Sequence, residues 1–294
     1  METVSIDGVV LHLGQPDELP MNWVGNKELV TQIKAAWLVM GDGDFPLNPR
    51  LLGKPGVGKT TLAYYAARQM NQPVYLFQAT IDTRPEDLIV TPVMSDQGKI
   101  RYMASSIVTA MIKGGVSVID EGNRMSEKSW ASLAPLMDNR RYVESIIAGI
   151  KIKAHSNFRL CTTMNDDAST FDLPEYIHSR LQPRIFIDFP DREDERLILS
   201  ANLPFANEQI LDYVVNFLQV AHEAQEPYTV RDGINIARYA LKRLNSGISK
   251  EVKEMSSEKG IMQVLKEAAS MILDDNASEY FATILEMYGD KRTV

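Results

Sequence analysis

The sequence has little of what disulfide-bonded, metal-bound and membrane-spanning proteins require. Cys161 is its single cysteine, so neither an intrachain disulfide nor a cysteine metal cluster can form within one subunit. Nowhere do enough uncharged apolar residues follow one another to span a bilayer. The first residues lack the basic and apolar segments of a signal peptide. We therefore expect a cytoplasmic protein without a membrane span.

Positively charged residues are fewer than negatively charged residues in this sequence. Its 31 Lys and Arg residues face 39 Asp and Glu residues, which gives a formal net charge of -8. An acidic chain is poorly suited to cover a nucleic-acid backbone with its whole surface, although a local basic strip inside a pore stays compatible with this charge. The apolar share of 45% over 294 residues is enough for a sizeable core in one or two domains.

Short apolar runs alternate with helical periodicity over the first 190 residues. The runs typical of strands are 74–77, 116–119, 159–164 and 185–189, and helical patterns cover 61–70 and 126–137. This alternation predicts an α/β protein with a doubly wound parallel sheet. Beyond Pro190 only helical spacing recurs. We therefore expect an α/β core over 1–190 and an all-helical domain over 191–294.

A glycine-rich loop precedes the first of these helical patterns. Residues 53–60 read GKPGVGKT and fit the phosphate-loop pattern G-x-x-x-x-G-K-[ST] in full. Its glycines allow backbone N–H groups to surround phosphates, Lys59 would reach the β- and γ-phosphates, and the Thr60 hydroxyl would bind Mg²⁺. The candidate nucleotide-binding residues are Gly53, Pro55, Gly56, Val57, Gly58, Lys59, Thr60 and Thr61. ATP and Mg²⁺ are therefore the expected cofactors.

Two adjacent acids end an apolar run further along the chain. Residues 116–119 read VSVI and are followed by Asp120 and Glu121. In P-loop enzymes the strand beside the phosphate loop delivers an Asp to the Mg²⁺ shell, and a second acid can orient and polarise the attacking water. Asp120 is thus the candidate metal-shell residue, acting through water, and Glu121 is the candidate general base.

Together with further stretches, these motifs resemble the AAA+ ATPases, in particular the MoxR-like branch with its dynein- and midasin-related relatives. The stretches that carry the resemblance are VGNKE at 24–28, PEDLI at 85–89, DEGNR at 120–124, NRRYV at 139–143 and IKIK at 150–153. The resemblance implies a P-loop AAA+ core, a helical lid, and two inserted hairpins that mark the helix-2-insert clade, one of them over 93–103. Val90 stands where this family usually has glycine.

The resemblance also implies roles for three residues that lie outside the glycine-rich loop and outside the acidic pair. Asn165 matches sensor 1, whose amide would hold the attacking water. Arg180 matches the arginine finger, which would reach the neighbouring subunit's nucleotide, and Arg184 is a rival for this role. Arg231 resembles the sensor 2 arginine of the lid, which would contact the γ-phosphate in the same subunit. Lys59, Glu121, Asn165 and Arg180 are the expected catalytic residues.

An arginine finger that acts on a neighbour implies a ring, and the family implies a hexamer. MoxR-like members act as chaperones in the assembly of protein complexes, often with a partner that carries a von Willebrand A domain. The first hypothesis is therefore an ATPase that remodels or assembles protein partners. A DNA-acting motor subunit like McrB is the second, and a nucleotide-dependent assembly switch with little turnover is the third.

Overall fold

The chain divides by its internal contacts into two units. The structure is a computed structural model and describes residues 2–20, 22–95, 98–166, 173–245 and 258–281. Unit 1 comprises Met1–Trp23, Lys27–Gly53 and Gly58–Ile187, and unit 2 comprises Val24–Asn26, Lys54–Val57 and Asp188–Val294. The predicted division at residue 190 stays a prediction. Within the described ranges, no helix is both long and apolar enough to cross a membrane.

Unit 1 contains eleven strands and six α-helices over its described residues. In chain order they are β1 (Thr3–Ile6), β2 (Val9–His12), α1 (Lys27–Trp37), β3 (Arg50–Gly53), α2 (Lys59–Gln69), β4 (Val74–Gln78), α3 (Pro85–Leu88), β5 (Val90–Met94), β6 (Ile100–Ala104), α4 (Ser106–Lys113), β7 (Val116–Asp120), α5 (Glu127–Leu133), β8 (Tyr142–Ser145), β9 (Ile150–Lys153), β10 (Arg159–Asn165), α6 (Glu175–His178) and β11 (Arg184–Phe186). Short 3-10 helices cover Gly122–Arg124 and Ala134–Leu136.

The predicted parallel sheet is confirmed. Five strands stand in the order β11-β3-β10-β7-β4, and each neighbouring pair is parallel. Every residue of β10 is buried, as are the first four residues of β7. Strands that are covered on both faces do not alternate between apolar and polar residues, and 116–119 and 160–164 accordingly form runs without charged residues.

Two elements are shorter than the sequence pattern predicts. The helix expected over 126–137 ends at Leu133 and continues as a 3-10 turn that contains Pro135. Proline has no N–H to donate to the preceding turn, so the α-helical ladder cannot continue through it. The strand expected over 185–189 is β11, and its last ladder contact is Ile187 N donating to Leu52 O at 2.8 Å.

A second sheet contains the hairpin that the resemblance places at 93–103. This hairpin begins earlier, at Val90, and consists of β5 and β6. It joins the N-terminal hairpin in the order β1-β2-β6-β5, and β2 runs parallel to β6. The N-terminal hairpin is absent from our sequence prediction. Its signal is the turn Asp7-Gly8, whose φ angles of 48° and 81° suit a two-residue hairpin turn.

The described residues of unit 2 beyond 190 form helices. They are α7 (Arg192–Asn202), α8 (Glu208–Glu223), α9 (Val230–Asn245) and α10 (Glu258–Ile272). The side chains of Asp191 and Asn207 cap α7 and α8 by accepting from the N–H three residues on, which satisfies otherwise unpaired donors. The apolar stripes pack into one core, with Phe217 and Leu265 fully buried. Residues 246–257 lie outside the described ranges.

Candidate functional site

The phosphate loop of unit 1 presents its lysine at the start of a helix. Strand β3 ends at Gly53, and α2 begins at Lys59 after Gly58, whose φ of 92° is left-handed and suits glycine. The Lys59 ammonium is buried and donates to the Gly53 carbonyl at 2.8 Å. The first N–H groups of α2 have no partners within the helix, so they and Lys59 together form a favourable place for phosphate.

The central residues of the same loop belong to unit 2 and pack on the start of α9. Gly56 has a φ of 87°, and a Cβ built there would lie 2.6 Å from Thr229 Oγ1 and 3.4 Å from Arg231 Cβ. Only glycine allows this close approach. Asp232 accepts from Thr229 N and Oγ1, both at 2.8 Å, and so fixes the helix start that carries Arg231.

Thr60 and Asp120 meet at the end of strand β7. Thr60 Oγ1 donates to Asp120 Oδ1 at 2.7 Å, and the Thr163 hydroxyl donates to the same carboxylate oxygen. A hydroxyl beside a carboxylate is the oxygen pair that P-loop enzymes use to hold Mg²⁺. Thr163 is a residue that our sequence prediction missed. Its only signal is its place at the end of a buried strand, two residues before Asn165.

Glu121 is held by donors from three separate elements. Its Oε2 accepts from Gln78 Nε2 at 3.0 Å and from Arg124 Nε at 2.8 Å, and its Oε1 lies 3.4 Å from Asn165 Nδ2. The φ of Glu121 is 55°, a left-handed conformation that is costly for a residue with a side chain. The structure thus places Glu121 and Asn165 together, and it adds Gln78 and Arg124 as residues that restrain the carboxylate.

Asn123 supports the end of strand β10. Its Nδ2 donates to the Asn165 carbonyl at 2.9 Å, while its Oδ1 is buried and has no hydrogen-bond partner in the described structure. The neighbouring Gly122 leaves no room for a side chain, because a Cβ there would overlap the Thr162 hydroxyl and lie 3.0 Å from Trp130. The DEGNR stretch therefore acts as a unit that joins the ends of β7 and β10.

Arg180 lies away from these acids and is anchored within its own chain. Its Nη1 donates to the Tyr176 carbonyl at 2.7 Å, and its Nε lies 3.3 Å from Asp138 Oδ2. Hydrogen bonds from Arg140, and a further one from Arg180, lower the pKa of Asp138 to about 2, so this carboxylate is charged at neutral pH. Asn48 Nδ2 donates to the Arg180 carbonyl at 3.1 Å.

Arg184 is the alternative to Arg180 as the predicted arginine finger, and it begins strand β11 beside Arg50. The two residues are paired in the parallel register of β11 and β3. Arg184 is exposed, whereas Arg50 is buried and its Nη1 lies 2.5 Å from His178 Nδ1. Burial, and then the charge of Arg184, lower the pKa of Arg50. Arg180 and Arg184 therefore stand near one another at the N-terminal edge of the sheet.

In unit 2, Lys54 heads a stack of side chains that leads to a buried acid. Its ammonium lies 4.6 Å from the centre of the Phe189 ring, which stacks on His222 at 3.9 Å. His222 Nε2 lies 2.7 Å from the Tyr228 carbonyl, and its Nδ1 lies 3.6 Å from Glu195 Oε1. Glu195 is fully buried, and its Oε2 accepts from Gln219 Nε2 at 2.8 Å.

Replacing Glu195 with glutamine should stabilise unit 2 at pH 8. Burial raises the pKa of Glu195 from 4.5 to about 7. A raised carboxyl pKa gives stability that is fully present below the unfolded pKa of 4.5 and is lost as pH rises through 7. Glutamine keeps the acceptor for Gln219 and carries no charge, so we expect a gain on the order of 2 kcal/mol at pH 8 and little at pH 4.

The measurement is thermal unfolding followed by circular dichroism at 222 nm between pH 4 and 8. Wild type should lose stability over this range through Glu195, and Glu195→Gln should lose less. Glu193→Gln, which removes an exposed acid from the same helix, is the control and should follow wild type. Superimposable pH profiles for wild type and Glu195→Gln would show that the buried carboxyl does not titrate as described.

The residues present fit ATP and Mg²⁺. The left-handed glycines free backbone N–H groups for phosphate, Lys59 adds a buried ammonium, and Thr60 with Asp120 supplies oxygen ligands of the type that Mg²⁺ prefers. Among the described residues, no three His, Cys, Asp or Glu side chains form a cluster suited to a metal ion. A magnesium ion here would therefore depend on water and nucleotide oxygens for its other ligands, as is usual for this ion.

Sequence comparison matches the phosphate loop and the DEGNR stretch to a known domain. Residues 50–181 match the AAA domain of the dynein-related subfamily. The chain is 26% identical over 180 residues to an uncharacterized protein of Staphylococcus epidermidis, and the match covers 59% of this chain and 68% of that protein. It is 25% identical over 208 residues to the uncharacterized protein YojN of Bacillus subtilis, which covers 65% of this chain and 67% of YojN.

Structure comparison gives the fold. RuvB of Thermotoga maritima, a Holliday junction branch migration motor, matches with a TM-score of 0.58 at 16% identity, over 90% of this chain and 77% of RuvB. Likeness at this identity concerns the fold alone. The chain thus has the parallel-sheet P-loop fold of AAA+ ATPases with a helical C-terminal region, as predicted. This fold implies nucleotide binding, typically with Mg²⁺, and ATPase activity in general.

Proposed function

We propose that this protein is a MoxR-like AAA+ ATPase that hydrolyses ATP with Mg²⁺ as one subunit of a ring, and that the ring remodels or assembles protein partners. The narrower likeness to MoxR proteins rests on the DEGNR stretch and on the two hairpins, β5–β6 and β8–β9. A hexamer, a cytoplasmic location, a chaperone role and a partner with a von Willebrand A domain belong to the same proposal.

The position of Arg180 is the observation that best supports a ring. Arg180 is bonded to Asn48, which precedes β3, whereas the phosphate loop begins at Gly53, where β3 ends. At about 3.3 Å per residue, this distance along the chain is roughly 15 Å, which exceeds the reach of an arginine side chain. An arginine at the opposite end of the strand from its own phosphate loop supports the proposal that it acts on the nucleotide of another subunit.

Each residue then has a defined task. Bound ATP supplies the γ-phosphoryl group, and hydrolysis needs a water molecule aligned with it. Glu121 accepts a proton from that water, and the amide of Asn165 orients it. Lys59 and the N–H groups of α2 neutralise phosphate charge, Thr60 and Asp120 hold the metal shell, and Arg231 contacts the nucleotide from the lid. Arg180 from the neighbour stabilises the charge that develops in the transition state.

The restraints on Glu121 suggest how turnover is controlled. Gln78 and Arg124 occupy the carboxylate oxygens that a water molecule would use. Release of the carboxylate from these two donors would have to precede proton transfer, because the oxygens that would accept the proton are already occupied by hydrogen bonds. Coupling this release to assembly would let hydrolysis wait until the ring has formed.

The ring predicts that specific ATPase activity depends on protein concentration. Activity per subunit should climb steeply as subunits assemble, since each site is complete only at a subunit boundary. Arg180→Ala should lower turnover by about 10³-fold or more while leaving ATP affinity within a few fold. Arg184→Ala is the matched control and should retain most activity. The measurement is steady-state phosphate release over a range of protein concentrations.

Two results would contradict this proposal. Activity that is independent of concentration would indicate that each subunit works alone. Loss of activity in Arg184→Ala with full activity in Arg180→Ala would move the finger to the rival position. Addition of duplex DNA tests the DNA-motor alternative, because stimulation that fades steeply with salt would favour it. We expect no such stimulation from a chain with a net charge of -8.

A further inference from the structure

A loop between α1 and β3 holds five large apolar side chains in solvent. They are Leu38, Val39, Met40, Phe45 and Leu47, and we name residues 38–47 the apolar loop. Met40 is 81% exposed and Leu38 is 57% exposed. Single exposed apolar residues are ordinary, but a continuous group of this kind marks an interaction surface.

The apolar loop has a fixed backbone. The Asp44 carboxylate accepts from Met40 N at 2.7 Å and from Phe45 N at 2.9 Å, and Asp44 N donates to the Gly41 carbonyl at 3.1 Å. Leu47 N donates to the Ala36 carbonyl at 2.8 Å, which ties the end of the loop to α1. A loop whose conformation is already fixed loses little entropy when it docks, which favours a binding role.

The apolar loop continues directly into the part of unit 1 that carries the arginines. Asn48 follows the loop, and its Nδ2 donates to the Arg180 carbonyl at 3.1 Å and to the Met137 carbonyl at 3.0 Å. Arg184 pairs in register with Arg50, two residues beyond Asn48. The apolar loop therefore lies next to Arg180 and Arg184 at the N-terminal edge of the sheet.

We propose that the apolar loop, together with Arg180, is the face that docks on a second copy of this chain. The inference rests on the proposed function, because the action of Arg180 on a neighbour identifies the occupant. Charge complementarity supports it: the cationic part of this face would meet bound ATP and the carboxylates Asp120 and Glu121 of the next copy. Two different faces that meet in this way form a heterologous contact, which is the type of contact from which rings are built.

The chemistry of the loop suits the centre of such an interface. Methionine, phenylalanine and arginine are enriched in protein interfaces, where apolar residues form a dry core and polar residues form the rim. Met40 and Phe45 would provide that core, and Arg180 would reach beyond it to the nucleotide. The apolar loop thus supplies binding energy that does not depend on nucleotide, whereas Arg180 makes assembly sensitive to ATP.

Replacing Met40 with aspartate tests this face. On the Glu121→Gln background, which should retain ATP, sedimentation velocity with Mg²⁺ and ATP measures the concentration at which subunits assemble. Met40→Asp should raise this concentration by about tenfold or more, because a charge would enter the apolar centre of the contact. Met94→Asp is the matched control, since Met94 is 75% exposed but lies on β5. It should assemble like the parent.

A less disruptive variant tests whether the same contact protects an introduced thiol from alkylation. Cys161 is the only cysteine, it is fully buried, and burial raises the pKa of its thiol, so it should resist alkylation. A thiol introduced by Met40→Cys would then be the main site of labelling. Its labelling rate should fall about tenfold or more when ATP drives assembly, whereas the rate for Met94→Cys should not change.

The outcomes separate the interface from the ring. Impaired assembly of Met40→Asp together with protection of Met40→Cys supports the proposal. If Met40→Asp assembles like Met94→Asp and Met40→Cys labels at its original rate in the assembled state, the apolar loop is not the interface, although the ring remains. A parent chain that stays monomeric with ATP at every concentration overturns both the ring and this interface.

Discussion

Lys59→Ala is expected to remove ATP binding. The Lys59 ammonium is buried at the start of α2, where the phosphates would lie, and alanine leaves that position without charge. A charge-assisted hydrogen bond contributes about 1.5–3 kcal/mol, so the loss of contacts to two phosphate groups should weaken binding by roughly 100-fold or more. Titration of a fluorescent ATP analogue against the purified chain measures this change directly.

Lys54→Ala provides the control within the same loop. The Lys54 side chain lies over the Phe189 ring of unit 2, so its removal should not take a charge away from the phosphates. We expect nucleotide affinity to stay within about threefold of wild type, since the phosphate contacts at this position come from backbone groups. Unchanged affinity in Lys59→Ala would remove the phosphate-loop assignment.

Glu121→Gln is expected to bind ATP and to stop turning it over. The amide keeps the size of the side chain but cannot accept a proton, and general-base catalysis typically contributes about 10²–10⁴-fold. Single-turnover hydrolysis should fall by about that factor, while the affinity for ATP should stay within a few fold. Because Glu121 is the last residue before the 3-10 turn and adopts a φ of 55°, the isosteric change should leave this turn intact.

Glu127→Gln is the matched control for this experiment. Glu127 is an exposed acid at the start of α5, six residues beyond Glu121, and it lies outside the network that holds the Glu121 carboxylate. Its replacement should leave hydrolysis at the wild-type rate. Hydrolysis at the wild-type rate in Glu121→Gln would show that another residue accepts the proton.

The sequence is sufficient for the parallel sheet but not for the second sheet. Strands such as β7 and β10 are predictable because burial on both faces favours runs of uncharged residues without alternation, here 116–119 and 160–164. The parallel pairing of β2 with β6 joins Leu11 to Tyr102, and no local pattern encodes a partner so distant in the chain. The end of α5 before Pro135 was predictable in principle, because proline at that position interrupts the helical hydrogen bonds.

The candidate site shows the same limit. The sequence is enough to identify four candidate residues, because binding phosphate and metal requires these residue types at this spacing. They are Lys59, Thr60, Asp120 and Glu121. Gln78 cannot be identified from the sequence, since it contacts Glu121 only through the pairing of β4 with β7. Asp138 likewise lies 42 residues from Arg180 in sequence and reaches it through the fold. Residues that restrain a catalytic group belong to tertiary structure rather than to a motif.

The shared site is the central claim, and mixing two inactive variants tests it most directly. Glu121→Gln lacks the base but keeps Arg180, and Arg180→Ala keeps the base but lacks the finger. Each variant alone should be inactive. In an equal mixture, about a quarter of the sites should pair an intact base with an intact finger from the neighbour, and ATPase activity should recover to that extent. A mixture that forms mixed assemblies and stays inactive would contradict the action of Arg180 on a neighbouring subunit.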